Sequence, residues 1–139
     1  MKQNTFFLLI AEDDPDDRDM LRMVLKENFP HWQYYVANNG QLLLDYLTNR
    51  PLDLPPVSLI MLDINMPIKD GVETLIALRR CHNYTQLPIV AYSTSKTIQG
   101  VHTFMQAGGT AYFQKPCDLE EMIDIFSGLS ELVPVSQGR

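Results

Sequence analysis

Met61-Leu62-Asp63-Ile64-Asn65-Met66-Pro67 closes an apolar run, Val57–Leu62, and a carboxylate follows directly on its last residues. Four more short apolar runs flank it along the chain: Thr5–Ile10, Gln33–Ala37, Pro88–Tyr92 and Thr110–Phe113. Three of the five are almost continuously apolar, the pattern of strands buried on both faces of a parallel sheet. Between them lie longer segments that are capped or helically periodic. Strand and helix alternate throughout, so the class is α/β, a single doubly wound sheet of five parallel strands with helices on both faces.

The helices carry their own start signals. Asp14-Pro15 places a cap before a proline at the first helical position, and Asp16 and Asp17 load the positive end of the helix dipole. Met20, Leu21, Val24 and Leu25 then form a stripe. Asp70 with Glu73, and Asp118 with Glu121, have capping-box spacing ahead of apolar stripes. The second helix is expected at Gln41–Asn49. The fourth, about Lys96–Ala107, is a poor helix former, with Gly100 and the β-branched Thr97, Ile98, Val101 and Thr103, and Gly108 as its natural stop. Arg50–Pro56 holds three prolines and reads as an extended loop, and Ser130–Arg139 as a frayed tail.

The 139 residues suit one domain, 1–139, with a core at about 4–128, a tail at 130–139 and no output domain. Lys plus Arg is 11 against 17 for Asp plus Glu, a net charge of −6, which argues against nucleic-acid binding by phosphate neutralisation and against an anionic membrane. Cys81 and Cys117 have no metal or disulfide spacing and fit a reducing compartment. With no signal peptide or membrane span read from the sequence, the expected location is the cytoplasm. His31, His82 and His102 have no ligand spacing.

In an open parallel sheet, ligands bind beyond the carboxyl ends of the strands. Glu12, Asp13 and Asp14 follow the first strand, Asp63 ends the third, Ser93-Thr94-Ser95 ends the fourth, and Gln114-Lys115-Pro116 follows the fifth. Acids, a hydroxyl and an ammonium therefore fall on one edge. Two carboxylates about 4 Å apart repel by roughly 4 kcal/mol at an effective dielectric of about 20. A divalent cation removes that cost, and all-oxygen ligands with an incomplete shell suit Mg²⁺. A carboxylate beside Mg²⁺ can act as a nucleophile toward phosphorus, and transfer then needs little beyond positioning and charge cancellation. Asp14 reads as a cap rather than a ligand.

These pieces resemble the receiver domain of two-component response regulators, including stand-alone CheY-like ones, over about Asn4–Gly128. The matching residues are Leu9-Ile10-Ala11-Glu12-Asp13-Asp14, Leu62-Asp63-Ile64-Asn65-Met66-Pro67 with Asp70-Gly71, Ser93, and Tyr112-Phe113-Gln114-Lys115-Pro116. The resemblance implies a flavodoxin-like, CheY-like (βα)5 fold with strand order 2-1-3-4-5. It implies Asp63 as phosphoacceptor, Asp13 as direct Mg²⁺ ligand, Glu12 acting through water, and the Asn65 backbone carbonyl as a further ligand. Ser93 would hydrogen-bond the phosphoryl group and Lys115 would pair with one of its oxygens. Tyr112 would be the aromatic switch, moving inward as Ser93 is drawn to the phosphate. A cis bond is expected at Lys115–Pro116.

The implied partners are a sensor histidine kinase or phosphotransfer protein and a downstream protein. The implied state is a monomer or weak dimer through helix 4, strand 5 and helix 5. The phosphorylation-sensitive surface is expected over about Lys96–Phe126. Such a protein is not a conventional enzyme and assists only its own phosphorylation and dephosphorylation. A haloacid-dehalogenase-type phosphatase is the alternative within phosphoryl chemistry, but it needs an acid two positions after the nucleophile, where Asn65 stands. A phosphorylation-independent pseudo-receiver is the other alternative. Such proteins usually lose an acid, the nucleophile or the lysine, and here all are present.

Overall fold

The apolar runs become five strands, β1 (Phe7–Ala11), β2 (Gln33–Ala37), β3 (Leu59–Leu62), β4 (Ile89–Ser93) and β5 (Ala111–Gln114). Five helices separate and follow them: α1 (Pro15–Asn28), α2 (Gly40–Asn49), α3 (Gly71–Arg80), α4 (Ile98–Gln106) and α5 (Leu119–Leu129). The computed structural model describes residues 5–134. All neighbouring strands pair in parallel, in the order β2-β1-β3-β4-β5. This is the order that the resemblance implied.

Successive strand residues point to opposite faces, and this divides the core in two. Leu8, Ile10, Leu59, Met61, Val90 and Tyr92 pack with Leu21, Val24 and Leu25 of α1 and Met122, Phe126 and Leu129 of α5. Leu9, Ala11, Ile60, Leu62, Ile89 and Ala91 pack with Leu43 of α2, Leu75 and Leu78 of α3 and Phe104 of α4. Every residue of β1, β3 and β4 is buried, which explains why their sequences are apolar without alternation. Each fully buried Leu or Ile contributes about 1.5–3 kcal/mol of transfer free energy.

The caps settle where the helices begin. Asp14 Oδ2 accepts from Asp17 N at 2.8 Å, and Asp70 and Glu73 form the complete reciprocal box. The second box is only half formed. Asp118 accepts from Glu121 N, but the Glu121 carboxylate reaches one residue further back and accepts from Cys117 N at 3.0 Å. Helix α2 begins at Gly40, one residue early, because Asn39 caps it through Leu42 N.

Helix α4 forms despite its composition. Thr97 caps it, and its one buried side chain, Phe104, meets the Tyr112 ring edge-on at 5.9 Å between centroids. Tertiary packing thus outweighs low propensity. Gly108 ends the helix at φ 108°, a conformation that favours glycine.

Two expectations are corrected. Lys115–Pro116 is trans, since no cis peptide bond occurs among the described residues. Trans is the lower-energy isomer of an X–Pro bond by about 0.5–1 kcal/mol, and cis persists only where a turn demands it. Cys81 and Cys117 are both exposed free thiols. Both lie in segments that flank helices, Cys81 as the C-cap of α3 and Cys117 just before the N-cap of α5. The tail is not frayed from Ser130: Ser130–Leu132 makes a 3-10 turn, and Leu132 and Val133 pack against the core because both are apolar. Residues 135–139 of that expectation lie outside the described residues.

Candidate functional site

Ladder hydrogen bonds run on past the strand ends and set the backbone of each site residue. Glu12 N donates to Ala37 O at 2.9 Å, Asp63 N to Ala11 O at 3.0 Å, and Lys115 N to Ser93 O at 2.7 Å. The residues expected at one edge are therefore brought together there. Oxygen atoms of Glu12, Asp13 and Asp63 lie within 4.8 Å of one another.

The Lys115 ammonium sits among three carboxylates. Its Nζ is 2.7 Å from Asp17 Oδ2, 2.9 Å from Glu12 Oε1 and 3.5 Å from Asp63 Oδ2. Glu12 is fully buried. Its Oε2 accepts from Asp14 N at 3.1 Å, whereas Oε1 has the ion pair with Lys115 but no aligned hydrogen bond. That buried, under-satisfied oxygen beside two further acids is what a hard cation fits.

The electrostatics follow from burial and crowding. Burial, then a hydrogen bond and repulsion from Glu12, push the Asp63 carboxyl up to about 8 in the metal-free pocket, and Lys115 only partly opposes this. For Lys115, burial is the largest single influence and disfavours its charge. The hydrogen bond it donates to Asp17 and its close contact with the Glu12 carboxylate, with the charge of Asp63, together outweigh it, so the ammonium stays protonated well above its ordinary range.

Ser93 is fully buried, and its Oγ accepts from Ser95 N at 3.4 Å. Asn65 is exposed, and its N–H donates to Asp63 Oδ1 at 3.3 Å. Asp14 is occupied as a cap, as expected. The Tyr112 ring is already inward: it packs on Phe104, and its hydroxyl donates to Ser95 O at 2.9 Å. The inward move expected of Tyr112 is therefore not one that this conformation has left to make.

Two site residues escape the sequence reading. Arg18 Nη1 donates to the carbonyls of Glu12 and Asp13, at 3.2 and 2.8 Å, and so ties the acidic turn to α1. Its place one helical turn after Asp14 is the only local signal. Asp17 reads as a dipole residue, yet it grips a lysine 98 residues away.

Comparisons with known proteins bear on the family and the fold. The family model described as the response regulator receiver domain matches residues 8–127. Response regulator Rcp1 of Synechocystis is 24% identical over 124 residues, covering 88% of this chain and 84% of Rcp1. A probable transcriptional regulatory protein of Picosynechococcus is 29% identical over 118 residues. That match covers 84% of this chain but only 45% of the Picosynechococcus protein, so the chain spans less than half of its length. Among solved structures, the phosphorylated cyanobacterial phytochrome response regulator RcpA superposes with a TM-score of 0.80 at 22% identity, over 93% of this chain and 94% of RcpA. With a match that runs through every strand and every site-bearing turn, the chain belongs to the response regulator receiver domain family.

Proposed function

We propose that residues 1–139 carry a receiver unit that works in the cytoplasm, in which Asp63 accepts a phosphoryl group from a sensor histidine kinase or phosphotransfer protein. The observation that carries this reading is the convergence of Glu12, Asp13 and Asp63 oxygens within 4.8 Å, with Lys115 Nζ at 3.5 Å from Asp63. Glu12, Asp13, Asp63 and the Asn65 carbonyl would hold Mg²⁺, Glu12 through water. Bound there, Mg²⁺ supplies positive charge against the pocket acids and the transferred phosphoryl oxygens.

An Asp63 oxygen attacks phosphorus, and the bond from phosphorus to the donor's imidazole nitrogen breaks. The electron pair leaves with that nitrogen, which takes up a proton. Lys115 pairs with one phosphoryl oxygen, and the Ser93 hydroxyl donates to another. These contacts exist only after transfer, so they bias the two conformations of the domain differently. The output is protein–protein contact with a downstream partner through about Lys96–Phe126, where Tyr112 holds the β4–α4 turn through Ser95. Self-association, if weak, would use α4, β5 and α5 in the same surface. Beyond its own phosphorylation and dephosphorylation, the domain catalyses nothing.

Acetyl phosphate with Mg²⁺ should add one phosphoryl group to the intact mass, and chelator should block the gain. Asp13→Asn should weaken Mg²⁺ binding by at least about tenfold, as expected for a lost direct ligand. Asp14→Asn should leave that affinity near the parental value, because Asn caps about as well as Asp. Full labelling in chelator would overturn the reading. Equal Mg²⁺ losses in the two variants would put the pocket out of register by one residue.

A further inference from the structure

An ammonium has three N–H donors, and Lys115 has three carboxylates around it. They are not equivalent. Glu12 and Asp63 are buried acids of the proposed metal set. Asp17 lies outside that set, on the first turn of α1, with its side chain 41% exposed. Yet Asp17 makes the shortest of the three contacts, 2.7 Å, while Asp63 is the most distant at 3.5 Å. The ammonium is thus drawn toward α1 and away from the residue where the phosphoryl group would form. A cation shared by Glu12, Asp13 and Asp63 would compete with Lys115 for their oxygens and leave Asp17 as its uncontested partner.

We propose that Asp17 is a positioning residue that holds Lys115 in the resting state and competes with the phosphoryl group for it. This rests on the assignment of Asp63 as phosphoacceptor. On transfer, Lys115 must give up part of its contact with Asp17 to pair with a phosphoryl oxygen. That exchange lowers the affinity of the pocket for a phosphoryl group, and it frees a carboxylate on α1. Phosphorylation is thereby felt on α1 as well as on the β4–α5 side of the domain. A generic reading, in which Asp17 only adds negative charge near the pocket, makes a different prediction. Any nearby acid would then serve equally, including Asp16, its exposed neighbour on the same turn.

The test uses the full chain with beryllofluoride and Mg²⁺ as the phosphoryl mimic, with binding read by ¹⁹F spectroscopy. Asp17→Asn should bind beryllofluoride about two- to fivefold more tightly than the parent, the range for a partly exposed ion pair. Asp16→Asn should leave the affinity unchanged. In the resting protein, the ¹⁵N resonance of the Lys115 ammonium, assigned by its loss in Lys115→Arg, should move in Asp17→Asn and stay in Asp16→Asn. Unchanged or weaker binding by Asp17→Asn, an equal gain in Asp16→Asn, or an unmoved Lys115 resonance would each overturn the proposal. A parent chain that neither binds beryllofluoride with Mg²⁺ nor accepts a phosphoryl group would overturn the phosphoacceptor assignment itself, and this proposal with it. When the parent does both, a negative result counts against Asp17 alone.

Discussion

Asp63→Asn is expected to unfold at a higher temperature than the parent chain in metal-free buffer at pH 8, and to take up no phosphoryl group. The folded pocket moves the Asp63 carboxyl from an ordinary value of 3.8 to about 8, first through burial and then through Glu12. Between those two values the folded state holds a proton that the unfolded chain has lost. Stability then falls as pH rises through this window and levels off above about pH 8. The full penalty at pH 8 is on the order of a few kcal/mol.

Asparagine carries no charge and escapes that slope, while Lys115 keeps its partners Asp17 and Glu12. The gap between variant and parent should therefore be widest near pH 8 and close toward pH 4. Mg²⁺ should narrow the gap at pH 8, because it binds and stabilises the parent. Melting curves across this range decide the matter. A variant no more stable than the parent at pH 8, or a gap that does not depend on pH, would show that the pocket does not load Asp63 with this cost. Phosphoryl uptake by the variant would remove Asp63 from the reaction.

Gly71→Ala should lower the urea midpoint sharply and impair labelling of Asp63 as well. A Cβ on Gly71 would come within 2.5 Å of Asp63 O and 2.8 Å of Ile64 Cα. Both are backbone atoms, so no rotamer change relieves the clash. The Gly71 N–H also donates to Ile64 O at 2.9 Å, which pins the start of α3 against the turn that carries Asp63. Overpacking of this kind costs about 1–3 kcal/mol or more. A displacement of about 1 Å at a reacting group costs about a hundredfold in rate. Gly128→Ala is the control: nothing lies within 4 Å of its added Cβ, in the body of α5. That change should be neutral or stabilise by about 0.5–1 kcal/mol. A Gly71→Ala chain that unfolds at the parental midpoint would show that the α3 start is free to shift.

Local chemistry made most of the fold legible. The five apolar runs, the caps at Asp14 and Asp70 and the stop at Gly108 each act within a few residues, and each appears where the sequence places it. Strand β2 lies where expected, while the other four shift by one or two residues at an end, with β1, β4 and β5 each reaching one residue further, to Ala11, Ser93 and Gln114. What stayed illegible depends on distant partners. The α4 composition argues for a weak helix, and the Phe104 packing on Tyr112, a partner from another element, works against that. Glu121 accepts from Cys117 N rather than Asp118 N, a choice that capping-box spacing does not reveal. The gathering of acids with Lys115 follows from strand ends sharing one edge, but the grip of Asp17 on Lys115 spans the whole fold and has no local signature.

The separation of 98 residues between Asp17 and Lys115 also bears on how the domain is made. The central strand, β1, comes first in the chain and gains its β2 and β3 neighbours by residue 62. Glu12, Asp13 and Asp63 therefore all belong to the part of the sheet whose strands are complete in sequence by residue 63, well before Lys115. Until β5 docks, those acids lie together without the Lys115 ammonium. Closing so long a loop costs little more entropy than closing one of half the length, but the closure comes late. The ion pairs of Lys115 thus act as a completion mark in folding: the pocket gains its ammonium only when the last strand is in place.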